Sequence, residues 1–318
     1  MSHFHIGWTE YPPEVARGGS VTIGNFDGVH RGHQALVAGA KRLAPVTGGP
    51  TVAVTFDPPP LSLLHPPSAK LPLSTVEDRA AGLHQCGADH VVTIRTEPGL
   101  LALTPEAFFE DVLRRQLDVK ALVEGTDFHF GRQRIGDVNL LKSFCERDGI
   151  GFEVVQPVLI DGEPVSSSRV RMELNRGHVA EAAALLGRPY SIRGRVVEGA
   201  KRGRSLGFPT ANLDGVETLV PAVGVYAMKV CLDGVDWPAA ANVGPNPTFG
   251  EEARKIEIHL IGFSGNLYGR DLTAEFVARL RDTKPFASID ALKAQLAEDI
   301  AAASKITFNL KDLAQASA

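Results

Sequence analysis

The hydrophobic pattern of this 318-residue chain changes period once, near Leu186-Gly187-Arg188-Pro189, and that change limits the fold more than any other feature. Before it, short apolar runs alternate with helical patterns. Val21–Ile23, Thr51–Phe56, Val91–Ile94, Ala121–Glu124 and Phe152–Val155 read as buried strands, with helices predicted over Ala35–Leu43, Pro105–Gln116 and Leu140–Asp148. Ser74 is expected to cap a further helix, with Glu77 three residues on. Alternation of this kind builds a largely parallel, doubly wound α/β sheet. Beyond the change, Tyr190–Val197, Gly224–Val230, Ala239–Val243, Ile256–Ile261 and Leu272–Val277 follow one another without helices, separated by turns rich in Gly, Pro, Asn and Asp. That grammar predicts an antiparallel barrel or sandwich. Ile289 to Ala302 then closes the chain as one amphipathic helix, begun by Ser288 or Asp290. Two domains are expected, residues 1–186 and 187–318.

Bulk properties narrow the function classes. The length suits two domains, and 44% hydrophobic content with 22% charge is that of an ordinary globular protein. Residues 1–187 carry 17 basic against 22 acidic side chains, and residues 188–318 carry 16 against 15. Neither half has the basic excess of a duplex-binding protein, so no nucleic-acid partner is expected. Cys86, Cys145 and Cys231 lie far apart with no CxxC, against a disulfide framework or structural zinc and for a reducing compartment. No signal-peptide order and no apolar run of membrane-spanning length is visible, so a cytoplasmic protein without a membrane partner is expected. A homo-oligomer is compatible with the sequence but not called for by it.

In doubly wound sheets the ligand sits beyond the strand C-terminal ends. There, directly after Val21–Ile23, stands Gly24-Asn25-Phe26-Asp27-Gly28-Val29-His30-Arg31-Gly32-His33. Its glycines let the backbone approach a ligand closely, and the amides opening the next helix can hold a phosphate. His30 and His33 can donate hydrogen bonds to phosphate oxygens as charge builds on them. The run is neither a Walker A loop nor a dinucleotide GxGxxG. A metal site lacks a third ligand at suitable spacing, and the bland alternative is a tight turn with two surface histidines. Strand, glycine loop, HxGH and helix together favour phosphate binding. Further on, Val165-Ser166-Ser167-Ser168-Arg169-Val170-Arg171 combines short donors with guanidiniums and suits a triphosphate, although a serine run before a helix is more often a cap. Asp127-Phe128-His129-Phe130-Gly131 with Gly136-Asp137 offers rings on which an aromatic ligand could stack; aromatics beside glycine are more often structural.

Taken together, GNFDGVHRGHQ (24–34), TFDPPP (55–60), DFHFG with its downstream GD (127–137) and VSSSRVR (165–171) resemble the adenylyltransferase half of the prokaryotic bifunctional riboflavin kinase/FMN adenylyltransferase family, or FAD synthetase. The family's usual Ile-Ser-Ser-Thr is replaced here by Val165 and Ser168 at its first and fourth places, and Pro59 stands where many members have a polar residue or His. The resemblance implies a Rossmann-like nucleotidyltransferase domain with His30 and His33 at the reacting phosphates. It also implies ATP contacts from Gly24, Asn25, Phe26, Asp27, Gly28, Ser166, Ser168 and Arg171, and flavin contacts from Pro58, Asp127, Phe128 and Phe130.

A second constellation lies in the β-rich half. Gly199, Lys201, Arg202, Gly203, Arg204 and Gly207 make a loop suited to covering phosphates, though a bare charge run is more often a solvated hairpin. Thr210 and Asn212, two apart on an extended segment, share a face and suit Mg²⁺, which prefers oxygen ligands and phosphate. The segment resembles the GRxxGFPTAN signature of riboflavin kinases. Asn242-Val243-Gly244 with Pro247-Thr248-Phe249, Glu257-Ile258-His259, Leu267-Tyr268-Gly269 and the stretch from Leu280-Arg281 through Phe286 continue the likeness. It implies a kinase β-barrel with a closing helix and ATP at Gly199, Lys201, Gly203, Arg204, Gly207 and Pro209. It further implies Mg²⁺ at Thr210 and Asn212, flavin at Arg281 and Phe286, and Glu257 as general base; by pattern alone Glu257 would be a solvent-facing strand residue. The expected function is phosphorylation of riboflavin to FMN, then adenylation of FMN to FAD, with ATP as co-substrate of both steps. The alternatives are a member retaining one activity, a nucleotidyltransferase for another phosphate, and a non-enzymatic flavin-binding or RNA-regulatory protein.

Overall fold

The structure, a computed structural model, describes residues 1–64, 70–199, 207–246 and 251–315. It divides into two compact units, Met1–Ser167 and Ser168–Ala318. The expected boundary at 186/187 and this division differ by two helices, Ser167–Arg176 and Val179–Leu186.

In the first unit six strands form one parallel sheet, in the order Ser2–Ile6, His90–Arg95, Thr51–Asp57, Ser20–Ile23, Ala121–Gly125, Gly151–Val155. The five strands read from the sequence are all present, one or two residues longer at their ends. The edge strand Ser2–Ile6 escaped the reading, because Ser-His-Phe-His-Ile carries no uninterrupted apolar run. Burial on both faces explains the unbroken Val/Ile/Leu character of the central strands, of which Ser20–Ile23 is buried at every position. The segment expected as a helix over Pro105–Gln116 is a short α-turn, Pro105–Ala107, running into a π-helix, Phe108–Gln116. The cap of helix Val76–Gln85 is Thr75 rather than Ser74: Thr75 Oγ1 accepts the Asp78 N–H at 3.1 Å. Ser74 is otherwise engaged, accepting the Gly28 N–H at 3.0 Å.

Chain order in this sheet reverses at one place. From Ser20–Ile23 the next two strands are added on one side and the last two on the other. The adjacent strands Ser20–Ile23 and Ala121–Gly125 therefore form the topological switch point where doubly wound sheets bind ligands.

The second unit contains a closed barrel with the strand order Tyr190–Val197, Ala211–Asp214, Glu251–Leu260, Val235–Asn246, Gly224–Leu232, Asp271–Arg281, so the expected choice between barrel and sandwich resolves to a barrel. Its strands alternate: in Tyr190–Val197 the residues Tyr190, Ile192, Gly194 and Val196 are buried and those between are not. Tyr226 and Phe276 meet edge to face inside, with ring centroids 5.1 Å apart. The closing helix runs Ile289–Gln315, longer than expected, and Ser288 Oγ accepts the Ala291 N–H at its start. Ala303 of this helix is buried against Ala227 and Ala240, with Ile300 and Ile306 beside it.

Candidate active sites

Positive φ at two non-glycine residues shapes the loop that leaves the switch point: Phe26 at 47° and Val29 at 44°. Burial holds both in place, since Phe26 is 0% and Val29 1% exposed in a cluster with Val37, Ala53 and Leu83. The Asp27 carboxylate is turned away from the cavity and accepts the N–H groups of Leu73 at 2.9 Å and Ser74 at 3.2 Å. Ser167 Oγ donates to the Asp27 carbonyl at 2.9 Å. The loop is thus fastened from two sides, and its far end opens the helix Arg31–Thr47 with His30 as N-cap.

His30 Nδ1 accepts the His33 N–H at 3.4 Å, which leaves the ring proton on Nε2. The two imidazoles stack, centroids 3.6 Å apart and planes at 20°, and the Phe26 ring meets His33 edge-on at 5.3 Å. Gly32 permits this stack: a Cβ there would come within 3.1 Å of the His30 ring. Burial pushes His30 down to about 4, against an upward pull from Asp127. His33 is pushed well below the usual histidine range, by burial first and then by His30 and Arg79; its Nδ1 is buried without a hydrogen-bond partner among the described residues. Near neutral pH both rings are uncharged N–H donors. An entering polyanion would oppose the desolvation and raise both values.

A cavity of about 610 Å³ opens beside this pair. Of the expected ATP residues, Gly24, Asn25, Phe26 and Ser166 line it with His30 and His33, while Asp27 and Gly28 do not. Of the expected flavin residues, Asp127, Phe128 and Phe130 line it and Pro58 does not. Phe128 and Phe130 stack at 5.7 Å between centroids. Ser168 and Arg171 fall in the second unit, on helix Ser167–Arg176. Two residues of the first unit were missed by sequence reasoning. Arg79, 2% exposed, donates to Thr55 Oγ1 and the Phe56 carbonyl, both at 3.2 Å. Glu124, 1% exposed, lines the cavity. The signal for Glu124 was an acidic residue closing an otherwise apolar strand; Arg79 on a charged helix face offered none.

On the barrel, Asn212 lies directly opposite Glu257, and Glu257 directly opposite Asn242. The flanking residues Ala211, Leu213, Ile256, Ile258, Ala241 and Val243 are buried, so this polar row faces outward across three strands. Asn212 packs against Gly199, where a Cβ would come within 2.2 Å of Nδ2. Pro209, just before Thr210, is held by His259, whose Nδ1–H donates to its carbonyl at 2.7 Å. Gly207 has φ 93°. Lys201, Gly203 and Arg204, together with the Pro247-Thr248-Phe249 element, lie outside the described residues. Arg281 forms a two-pronged ion pair with Asp299 of the closing helix, at 2.9 Å and 2.7 Å, and Asp299 is 5% exposed. The Arg281 guanidinium also lies 5.7 Å from the centre of the Phe286 ring.

Among the described residues no group of three or more His, Cys, Asp or Glu is placed to hold a metal, and no helix is long and apolar enough to cross a membrane. A family model described as FAD synthetase matches residues 13–169, and one described as riboflavin kinase matches residues 186–307. A bifunctional riboflavin kinase/FMN adenylyltransferase of Pseudomonas fluorescens is 41% identical over 90% of this chain and 92% of its own. That of Escherichia coli K12 is 39% identical over 88% and 90%. A crystal structure of a Streptococcus pneumoniae protein described as a macrolide-efflux protein superposes with a TM-score of 0.84 at 32% identity, over 93% of this chain and 97% of that one. With both matches in the same order as the two units, the chain belongs to the bifunctional riboflavin kinase/FMN adenylyltransferase family.

Proposed function

We propose that the cavity beside His30 and His33 is the FMN adenylyltransferase site and that the outward row around Glu257 belongs to the riboflavin kinase site. The chain is a transferase that makes FMN from riboflavin and FAD from FMN, with ATP as co-substrate. The observation that carries the assignment is that one cavity is lined by both the stacked histidines and the stacked Phe128–Phe130 pair, offering phosphate donors and a flavin platform within one space.

In the first site an oxygen of the FMN phosphate attacks the α-phosphorus of ATP. The new P–O bond forms as the α–β bridge breaks, and pyrophosphate leaves. No enzyme nucleophile is required, because the attacking phosphate is already anionic. The uncharged N–H groups of His30 and His33 meet charge gathering on the α-phosphoryl oxygens and the leaving group. Gly24, Asn25, Phe26, Asp27, Gly28 and Ser166 serve ATP; Asp127, Phe128 and Phe130 serve the flavin. Asp27 and Gly28 act through the loop they fasten.

In the second site Glu257 accepts the riboflavin 5′-hydroxyl proton as the γ-phosphoryl group transfers. The donor set suits Mg²⁺: an amide oxygen from Asn212 and a hydroxyl from Thr210 are hard ligands, and substrate phosphates would complete the shell. When bound, the ion would neutralise phosphate charge. Gly199, Lys201, Gly203, Arg204, Gly207 and Pro209 cover the ATP phosphates, and Phe286 with Arg281 borders the flavin. We place the functional boundary at 186/187, where the riboflavin kinase match begins, and the enzyme in the cytoplasm, in keeping with three cysteines that form no disulfide. The test is chromatography of flavin products. His33→Ala should stop synthesis at FMN, and Glu257→Ala should give FAD only when FMN is supplied.

A further inference from the structure

Glu124 ends the buried part of strand Ala121–Gly125, at the switch point of the sheet, in a strand otherwise made of apolar residues and glycine. Its Oε1 accepts the Ile23 N–H at 2.8 Å, where the parallel ladder to Ser20–Ile23 runs out. The second oxygen has no hydrogen bond among the described residues, and no Lys, Arg or His pairs with the carboxyl there. A buried carboxyl of this kind is expensive to ionise. Burial holds it well above the usual carboxylate range, Asp127 pushes it further up, and the Ile23 amide opposes them. The titratable groups that face it are Asp127, on the loop that follows its own strand, and Cys145, on helix Val138–Asp148. The Cys145 thiol is itself pushed up to about 12, by burial first and with Glu124 contributing. Glu124 lines the same cavity as His30 and His33.

A charged carboxylate here would repel a nucleotide's phosphates, whereas a carboxylic acid has an O–H to give. We propose that Glu124 is a nucleotide-binding residue of the adenylyltransferase site. One oxygen holds the Ile23 amide, and the other, as a neutral acid, donates a hydrogen bond to the phosphate chain of the nucleotide in the cavity. This rests on the reading of that cavity as the adenylyl-transfer site. The same side chain then sets ligand and loop in register, since Ile23 immediately precedes Gly24. Binding reinforces the neutral form, because phosphate charge beside the carboxyl makes ionisation harder still.

The test measures FMN-to-FAD turnover in the full chain from pH 6 to 10 for the wild type, Glu124→Gln and Glu124→Ala. Inhibition by pyrophosphate alone and by adenosine alone is measured alongside. Riboflavin phosphorylation and thermal unfolding report on folding. Gln keeps both contacts and has no acid proton to lose. Glu124→Gln should therefore hold the KM for ATP within about threefold of the wild type and keep it flat on the alkaline side, where the wild-type KM rises. Glu124→Ala should raise the KM for ATP and the pyrophosphate inhibition constant together by about tenfold, leaving adenosine unchanged. A Gln variant as weak as the Ala variant would mean that the charged carboxylate is needed, and overturns the proposal. So does an adenosine constant that moves while that of pyrophosphate does not. A wild-type pH profile matching that of Glu124→Gln also overturns it, and this comparison holds even if Glu124→Ala fails to fold. His33→Ala is assayed in parallel. If it leaves FAD formation intact, the reading of the cavity fails, which is a different result from any change at Glu124.

Discussion

The two candidate sites sit in opposite kinds of environment. In the first unit the candidate groups lie where the loop after Ile23 enters helix Arg31–Thr47 and near the end of strand Ala121–Gly125, where desolvation keeps His30 and His33 uncharged and raises Glu124. On the barrel, Asn212, Glu257 and Asn242 form a row on the outward face of alternating strands, over an interior filled by Tyr226 and Phe276. A closed six-stranded barrel leaves no room inside for substrates, so its candidate polar row lies on the outer surface. A doubly wound sheet leaves a crevice at its switch point, and the site sinks into it. Burial tunes the groups of the first arrangement, whereas the row of the second stands on the outer face of the barrel.

The largest effects expected from this contrast are on chemistry. His33→Ala should lower FAD formation by about 10²–10⁴-fold with FMN formation unchanged, and Glu257→Ala should do the reverse, both read as initial rates on separated flavins. Next comes stability. Asp299→Ala strips the partner from Arg281 and should destabilise the barrel by about 2–3 kcal/mol in denaturant unfolding. That is below the loss expected of a fully buried pair, because part of the guanidinium stays in solvent. An unchanged midpoint would show that the pair does not fasten the closing helix. Gly32→Ala is subtler: its Cβ would press on the His30 ring, so FAD formation should fall about tenfold while FMN formation holds.

The smallest effect expected is on pH-dependent stability. His30 ionises at about 4 when folded and near 6.5 when unfolded, so the native state binds fewer protons and stability falls as pH drops from 6.5 towards 4. Glu124 has the opposite sign. Its folded value lies above its unfolded 4.5, so its contribution is lost as pH rises past 4.5. Glu124→Gln should therefore unfold at a higher temperature than the wild type in alkaline buffer and retain the acid-side slope. Identical curves for the two proteins would remove Glu124 from the account.

The comparison also separates what the sequence made legible from what it did not. Buried strands such as Thr51–Asp57 and Ala121–Gly125 announce themselves as apolar runs, and the loop after Ile23 stands out because its glycines and histidines interrupt one. Glu257 could not be told from a solvated strand residue by alternation, since both occupy outward positions; only the family likeness singles it out. Ser74 looked like a helix cap because the cap pattern is local, whereas its contact with Gly28 spans 46 residues. Glu124 and Arg79 stayed hidden for the same reason: their roles come from neighbours brought by the fold, Ile23 for one and Thr55 for the other.

The central claim is that the two sites act independently and are joined by FMN. It is tested most directly by mixing folded His33→Ala and Glu257→Ala proteins with riboflavin, ATP and Mg²⁺. Each protein alone should make no FAD, the first accumulating FMN and the second leaving riboflavin unchanged, and the mixture should make FAD. A mixture that makes none, with either variant having lost both activities, would contradict the account.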